Sequence, residues 1–288
     1  MIPGSFEYHR PASVDEAVAL LAEHGDEGRV IAGGHSLVPM MKLRLAQPSH
    51  LVDLRDLAEL RGIREAEGAI EIGAMTTQHE LIESELLQGL CPILRETALM
   101  IADPQVRYCG TLGGNVANGD PGNDMPAVMQ CLDASYRLHS SGGAREVAAR
   151  DFYEGAYFTA LAEGELLTAV RIPRPPAGQG YAYEKMKRKV GDYATAAAAV
   201  TLSLDGGSCS QAAIALTNLG QTPILAEAAE QALIGSRLDE VAIAEAARLA
   251  GEAADPVEDL RGPAAFKSHA AGVMARRAIE RARDRAGA

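Results

Sequence analysis

Apolar residues recur at helical or strand spacing along most of the chain. Ser13 and Glu16 form a capping box, and the apolar positions that follow it predict a helix ending near Gly25. Short apolar runs at 29–31 and 51–54 predict strands, and the alternating positions at 62–65 and 69–74 predict a hairpin. These patterns indicate a small α/β unit followed by a second unit that mixes strands and helices.

The second unit continues with further helical and strand patterns. Thr77 and Glu80 form another capping box, which predicts a helix through about Leu87. We also predict helices at 92–102 and 126–132 and strands at 134–138 and 165–172. The fold class is therefore α+β.

The run Pro-Arg-Pro-Pro-Ala-Gly-Gln-Gly at 173–180 predicts a domain boundary. Beyond it, strands are predicted at 181–186 and 212–217, residues 194–204 are small and apolar, and the pattern turns helical after Pro223. We predict a first domain over 1–177, with subdomains at about 1–55 and 56–177, and a smaller domain over 178–288. The arginines of the last helical stretch are expected on a solvated face, with a partner contact as the alternative.

Two glycine-rich stretches carry the candidate chemistry. Ala32-Gly33-Gly34-His35-Ser36 follows the strand at 29–31, and residues 110–126 hold five glycines, three asparagines and two aspartates. Such a composition predicts loops, whose backbone N–H groups can converge on a phosphate group. A plain surface loop remains the alternative. Neither stretch has the spacing of a Rossmann fingerprint or the lysine of a P-loop.

Composition narrows the function classes. The chain has 288 residues, 47% of them hydrophobic, and a formal charge of −12, which argues against a nucleic-acid partner. The sequence has no apolar run of membrane-spanning length and no basic, apolar leader pattern, so we expect a cytoplasmic protein. Cys91, Cys109, Cys131 and Cys209 have no metal-site spacing, and we expect them to be reduced and mostly buried.

Together these stretches resemble the FAD-binding subunits of molybdenum hydroxylases. The resemblance rests on residues 32–36, 111–115 and Asp124, and it covers nearly the whole chain. Residues 101–108, 118–126 and 187–194 are most similar to the medium subunits of aerobic carbon monoxide dehydrogenases. The resemblance implies a vanillyl-alcohol-oxidase (PCMH)-type FAD-binding domain of two α/β subdomains, followed by a C-terminal domain with a short antiparallel sheet and a helical bundle.

The resemblance also implies roles for particular residues. Backbone amides at Gly33–Ser36 would hold the FAD pyrophosphate, a second wall would come from 111–115, and Asp124 would accept from ribityl or ribose hydroxyls. Lys185, Asp192 and Tyr193 would lie near the isoalloxazine ring, with a cation near N1/O2. The full set of cofactor-binding residues implied is Ala32, Gly33, Gly34, His35, Ser36, Leu37, Ala102, Thr111, Gly113, Gly114, Asn115, Ala117, Asp124, Lys185, Asp192 and Tyr193.

Several of these roles have alternatives. His35 could act as a base or a covalent flavin attachment, although a backbone and packing role is favoured. Alternation along a strand points Lys185 and Lys187 to the same side, so the sequence does not choose between them, and a solvated basic loop is a further reading. Tyr193 could be a domain-interface aromatic. No catalytic residue and no metal ligand is predicted in this chain.

The function implied is electron transfer. In the family, a large subunit with molybdenum–cytosine dinucleotide (and copper in the carbon monoxide enzymes) oxidises CO with water to CO₂. A small subunit with [2Fe–2S] clusters passes the electrons to FAD, and a quinone or other acceptor takes them on. The expected assembly is a dimer of heterotrimers, membrane-associated at most through the complex. The alternatives are the flavin subunit of another hydroxylase (for xanthine, nicotine or an aromatic acyl-CoA), a stand-alone flavin oxidase and a non-enzymatic binding module.

Overall fold

The computed structural model describes residues 2–287, and the chain begins with a small parallel sheet. Its elements are β1 (Glu7–His9), α1 (Val14–His24), β2 (Gly28–Ile31), α2 (Leu37–Lys42) and β3 (His50–Asp53). The strand order is β1-β3-β2, so β3 is central. The predicted helix after Ser13 is confirmed, because the Ser13 hydroxyl accepts the Glu16 N–H and Gly25 ends the helix.

An antiparallel sheet forms the middle of the chain. Its strands and a nearby hairpin are β4 (Ile63–Ala66), β5 (Ala69–Gly73), β6 (Ser135–Ser140), β7 (Gly143–Ala148), β8 (Tyr153–Gly155), β9 (Phe158–Thr159) and β10 (Leu166–Pro173). The order β4-β5-β10-β6-β7 places β10 at the centre, while β8 pairs with β9 alone. The hairpin predicted for 62–74 is therefore confirmed.

Short helices between β5 and β6 share a hydrophobic core with this sheet. They are α3 (Gln78–Glu83), α4 (Glu85–Leu90), α5 (Pro92–Met100), α6 (Pro104–Cys109), α7 (Leu112–Ala117) and α8 (Asp124–Cys131). The single helix predicted through Leu87 is wrong, because Ser84 adopts an extended conformation that ends α3. The Ser84 hydroxyl then accepts the Leu87 N–H and caps α4.

The glycine-rich stretch is only partly a loop, so the prediction of a loop throughout is wrong. Residues 112–117 form α7, because the Thr111 hydroxyl accepts the Gly114 N–H at 3.0 Å and caps the helix. A Cβ on Gly113 would lie 2.5 Å from the Ala74 Cβ. The glycine that weakens helix propensity is therefore required for packing.

A second antiparallel sheet and three helices complete the described chain. They are β11 (Gly180–Met186), β12 (Ala196–Asp205), β13 (Ser208–Thr217), β14 (Ile224–Leu225), α9 (Glu227–Leu233), α10 (Glu240–Ala253) and α11 (Ala264–Arg285). Small residues let α11 lie close to the sheet, and a Cβ on Gly180 would lie 2.0 Å from the Ala282 carbonyl oxygen. Within residues 2–287, every helix is too short or too polar to cross a lipid bilayer.

The two parts of the chain share buried contacts across the proline-rich run. Tyr183 belongs to the same hydrophobic cluster as Ile93 and Met125. Arg281 of α11 pairs with Glu96 of α5 at 3.0 Å, and Arg285 lies 2.9 Å from the same carboxylate. The face expected to be solvated is therefore only partly so, because these two side chains, 41% and 31% exposed, also contact the first part of the chain. This packing holds residues of β11 in a fixed position against α5 and α8.

Candidate cofactor site

The first glycine turn presents unpaired backbone donors. Within residues 2–287, the N–H groups of Gly33, Gly34, His35 and Ser36 meet no acceptor. Gly34 has a φ of 72°, which turns the chain between β2 and α2. The exposed His35 ring lies with Nδ1 2.7 Å from the Gly33 carbonyl oxygen. Converging amides without acceptors are suited to an anionic group such as a pyrophosphate.

The second glycine stretch packs directly against the first. A Cβ on Gly33 would lie 2.3 Å from the Cys109 carbonyl oxygen, and a Cβ on Gly114 would lie 3.7 Å from that of Ala32. The two turns predicted to act together are thus adjacent. Only glycine fits at Gly33, since the opposing atoms belong to the backbone and cannot move aside.

The amides of the second stretch are already used within the protein. The Gly113 N–H donates to the Ala74 carbonyl at 2.9 Å, and the Gly114 N–H donates to the Thr111 hydroxyl. The side-chain oxygen of Asn115 accepts the Met125 N–H at 3.3 Å, and the backbone carbonyl of Asn115 accepts from the side-chain amide of Asn123 at 2.7 Å. This stretch therefore forms a rigid wall beside the first turn, with the Thr111 hydroxyl proton free to donate.

Asp124 lies in a buried network between α8 and β11. One oxygen accepts from the Tyr183 hydroxyl, and the other lies 2.7 Å from the Lys185 ammonium. Burial raises the pKa of Asp124, opposed by the nearby positive charge of Lys185. Burial and the Asp124 carboxylate together raise the pKa of Tyr183 well above its ordinary value. The prediction that Asp124 binds flavin hydroxyls remains a prediction, and in the protein both of its oxygens already have partners.

The sequence did not choose between Lys185 and Lys187 as the cation near the flavin ring, and in the structure Lys187 is the more accessible of the two. The Lys187 ammonium donates to the Met100 carbonyl at 3.2 Å, and Lys185 donates to the same oxygen at 3.3 Å. Burial first, and then the charge of Lys185, lower the pKa of Lys187. Lys187 is half-buried whereas Lys185 is buried. Because Asp124 neutralises Lys185, the uncompensated positive charge at this edge is that of Lys187, which favours an anion nearby.

The segment after Met100 is held in an unusual conformation. Ala102 has a φ of 42°, in the left-handed region that residues other than glycine rarely adopt. The Arg107 guanidinium holds this segment by donating to the Ile101 carbonyl at 2.8 Å. Ala102 and Ala117 both lie at the edge of the hydrophobic cluster under α5 and α8. A planar ligand could approach closely at these small side chains.

Tyr193 and Asp192 lie on the loop between β11 and β12. A Cβ on Gly122 would lie 2.9 Å from Cδ1 of Tyr193, so the ring covers the loop before α8. Burial and the Asp120 carboxylate raise the pKa of Tyr193. Asp192 pairs with Arg188 at 2.9 Å and Arg261 at 3.2 Å. These contacts fix the loop that carries both residues.

Comparisons with known proteins agree with this geometry. Residues 4–175 match the family model of the FAD binding domain in molybdopterin dehydrogenase, and residues 181–282 match the CO dehydrogenase flavoprotein C-terminal domain. The carbon monoxide dehydrogenase medium chain of Afipia carboxidovorans is 62% identical over 99% of both chains. That of Hydrogenophaga pseudoflava is 48% identical over 98% of both. The crystal structure of a cyanide-inactivated Cu,Mo-CO dehydrogenase matches with a TM-score of 0.98, 62% identity, and coverage of 99% of this chain and 100% of the other. The resemblance and the fold predicted from the sequence are confirmed.

Proposed function

The chain belongs to the family of FAD-binding domains in molybdopterin dehydrogenases, and from this premise we propose that it is the FAD-carrying electron-transfer subunit of a molybdenum-containing carbon monoxide dehydrogenase. The observation that carries the proposal is the 62% identity, over 99% of both chains, to a carbon monoxide dehydrogenase medium chain. The identity extends beyond the FAD-binding part to the C-terminal part.

The residues present fit FAD. The first turn offers N–H groups without acceptors from Gly33 to Ser36, and a glycine is required there by the neighbouring Cys109 carbonyl. We assign the pyrophosphate to these amides, with Ala32 and Leu37 at the two ends of the turn. The Thr111 hydroxyl adds a donor, while Gly113, Gly114 and Asn115 form the second wall. FAD supplies the ability to accept electrons singly or in pairs.

The ring end of the cofactor belongs with the lysines of β11 and the loop that follows. Negative charge that arrives with electrons is stabilised by nearby ammonium groups, and the Lys187 ammonium is the more accessible of the two. Lys185 fixes that edge through Asp124. Tyr193 shields the face of the ring, and Asp192 anchors the Tyr193 loop through its two arginines. Ala102 and Ala117 leave room for the ring to approach.

The electrons come from partner subunits on this proposal. A large subunit with molybdenum–cytosine dinucleotide and copper converts CO and H₂O to CO₂, two protons and two electrons. A small subunit with [2Fe–2S] clusters delivers the electrons to this chain, which passes them to a quinone or other acceptor. We propose a dimer of heterotrimers in the cytoplasm that reaches a membrane only through its complex.

A native purification tests the proposal. The chain is isolated with its partners from its own cells, and the complex is analysed for flavin, molybdenum, copper and iron. FAD with all three metals in a three-subunit complex supports the carbon monoxide enzyme. FAD with molybdenum and iron but without copper indicates another hydroxylase and contradicts the proposed substrate. A yellow protein without partners or metals indicates a stand-alone oxidase, and a colourless complex contradicts the FAD assignment.

A further inference from the structure

Three histidines from separate elements lie close together beside the small parallel sheet. His9 ends β1, His24 ends α1, and His50 begins β3. Each offers a ring nitrogen within 4.8 Å of those of the other two, and all three residues are half-buried. Their positions are far apart in the sequence, so no metal-site spacing reveals them. This cluster lies outside the candidate flavin site.

The distances are close to those that a single metal ion requires. A tetrahedral zinc ion with Zn–N bonds of about 2.0–2.1 Å holds its nitrogen ligands about 3.3 Å apart. Nε2 of His9 already lies 3.1 Å from Nδ1 of His50. The rings of His24 and His50 are stacked, with centroids 3.7 Å apart and an angle of 2° between them. Shared coordination requires these two rings to tilt, because a metal ion cannot lie in both of two parallel planes.

The hydrogen-bond inventory of the cluster is incomplete. Nε2 of His24 is buried and has no hydrogen-bond partner within residues 2–287. A buried nitrogen without a partner is costly, and a bound cation removes that cost.

A carboxylate lies beside the cluster. Oε2 of Glu7 lies 3.6 Å from Nδ1 of His50, and the Glu7 side chain is 75% exposed and can rotate toward the cluster. A donor set of three imidazoles and one carboxylate favours zinc-like ions over Mg²⁺ or Ca²⁺.

We propose that His9, His24 and His50, with Glu7 as fourth ligand, form a binding site for a divalent ion of the Zn²⁺ class. The ion would join β1, α1 and β3. His9 pairs with Val52, but His50 pairs with Gly28 at the start of β2, and the flavin turn follows Ile31 at the other end of that strand, about 10 Å away at the rise of a strand. The site would therefore stabilise the unit that presents the flavin turn without contacting the cofactor.

The test is a calorimetric titration of the full chain with ZnCl₂, using protein without a histidine tag. We expect one equivalent to bind, EDTA to reverse the binding, and Zn²⁺ to raise the melting temperature. His9→Asn and His24→Gln should each weaken Zn²⁺ binding by at least about tenfold. Loss of a residue that only supports a metal ligand already costs about 10- to 100-fold in affinity, so loss of a ligand should cost no less. Glu7→Gln should weaken it by a smaller factor.

The matched control is His269→Asn, which alters an exposed histidine away from the cluster. It should bind Zn²⁺ as the unaltered chain does. Circular dichroism establishes that each variant is folded, and exposed Glu7 keeps the test decisive if His24→Gln does not fold. The proposal is overturned if no Zn²⁺ binds, or if His9→Asn and Glu7→Gln both bind it with full affinity.

Discussion

The Lys185 ammonium lies 2.7 Å from an Asp124 carboxylate oxygen, and only 1% and 5% of the two side chains are exposed. The pair joins β11 to α8 and thereby connects the two parts of the chain at the candidate site. A buried charge whose partner is removed stays out of water without compensation, so such pairs are costly to break.

We predict that Lys185→Met lowers the free energy of unfolding by about 3–5 kcal/mol, because Asp124 would remain buried without its cation. Urea denaturation measures the effect. Lys189→Met is the matched control, since Lys189 is exposed on the same segment and should change stability by less than about 0.5 kcal/mol. Equal effects of the two substitutions would show that the buried pair is not important for stability.

Gly33→Ala should reduce both stability and FAD content. The new Cβ would lie 2.3 Å from the Cys109 carbonyl oxygen, so the two turns would have to separate. The flavin absorbance per chain in the purified complex, together with the melting temperature, measures the outcome. Gly89→Ala is the control, because nothing lies within 4 Å of a Cβ there and alanine favours the helix. A complex with Gly33→Ala that is stable and fully flavinated would contradict the assignment of the pyrophosphate to this turn.

The sequence predicted the fold best where local chemistry and packing agree. Ser13 and Thr77 cap helices as their capping patterns predict, and the hairpin at 62–74 has the expected alternation. The predictions from sequence were wrong where tertiary packing overrides the local propensity of the residues. Helix α7 contains Gly113 because Ala74 leaves no room for a Cβ, a contact that no local pattern reveals.

The same limit applies to the site. The two glycine turns could be paired from composition, since both offer small residues and a hydroxyl. The choice between Lys185 and Lys187 could not be made, because strand alternation points both to the same side, and only the position of Asp124 distinguishes Lys185 in β11 from Lys187 just after it. The three clustered histidines were not foreseen, because the topology of a parallel sheet brings together residues that are distant in sequence.

Asp192 should make stability depend on pH in the acidic range. Hydrogen bonds from Arg188 and then Arg261 lower its pKa below the ordinary value of 3.8. A carboxyl group with a lowered folded-state pKa stabilises above its unfolded pKa, and the contribution is lost as pH falls through the folded value. Asp192→Asn should therefore destabilise at pH 6, and the difference from the unaltered chain should shrink below about pH 4. Denaturation at both pH values measures this, and a difference independent of pH would contradict the pairing.

Cys109 should be the thiol that reacts in the native protein. It is exposed, whereas the other three cysteines are buried. Burial also raises the pKa of Cys91 and Cys131 to about 12, which keeps them protonated and unreactive. Ellman's reagent should modify one thiol per folded chain rapidly, and Cys109→Ser should abolish that reaction. Rapid modification of a second thiol would show that the native core opens readily.

In the proposed function, this chain carries FAD that receives electrons from the oxidation of CO. The most direct measurement is an anaerobic titration of the purified native complex with CO while the flavin absorbance is followed. We predict that CO bleaches the flavin band at one FAD per copy of this chain, and that a Gly33→Val complex shows no such band. A flavin that is stably bound but is not reduced by CO, while an aromatic heterocycle reduces it, would contradict the proposed function.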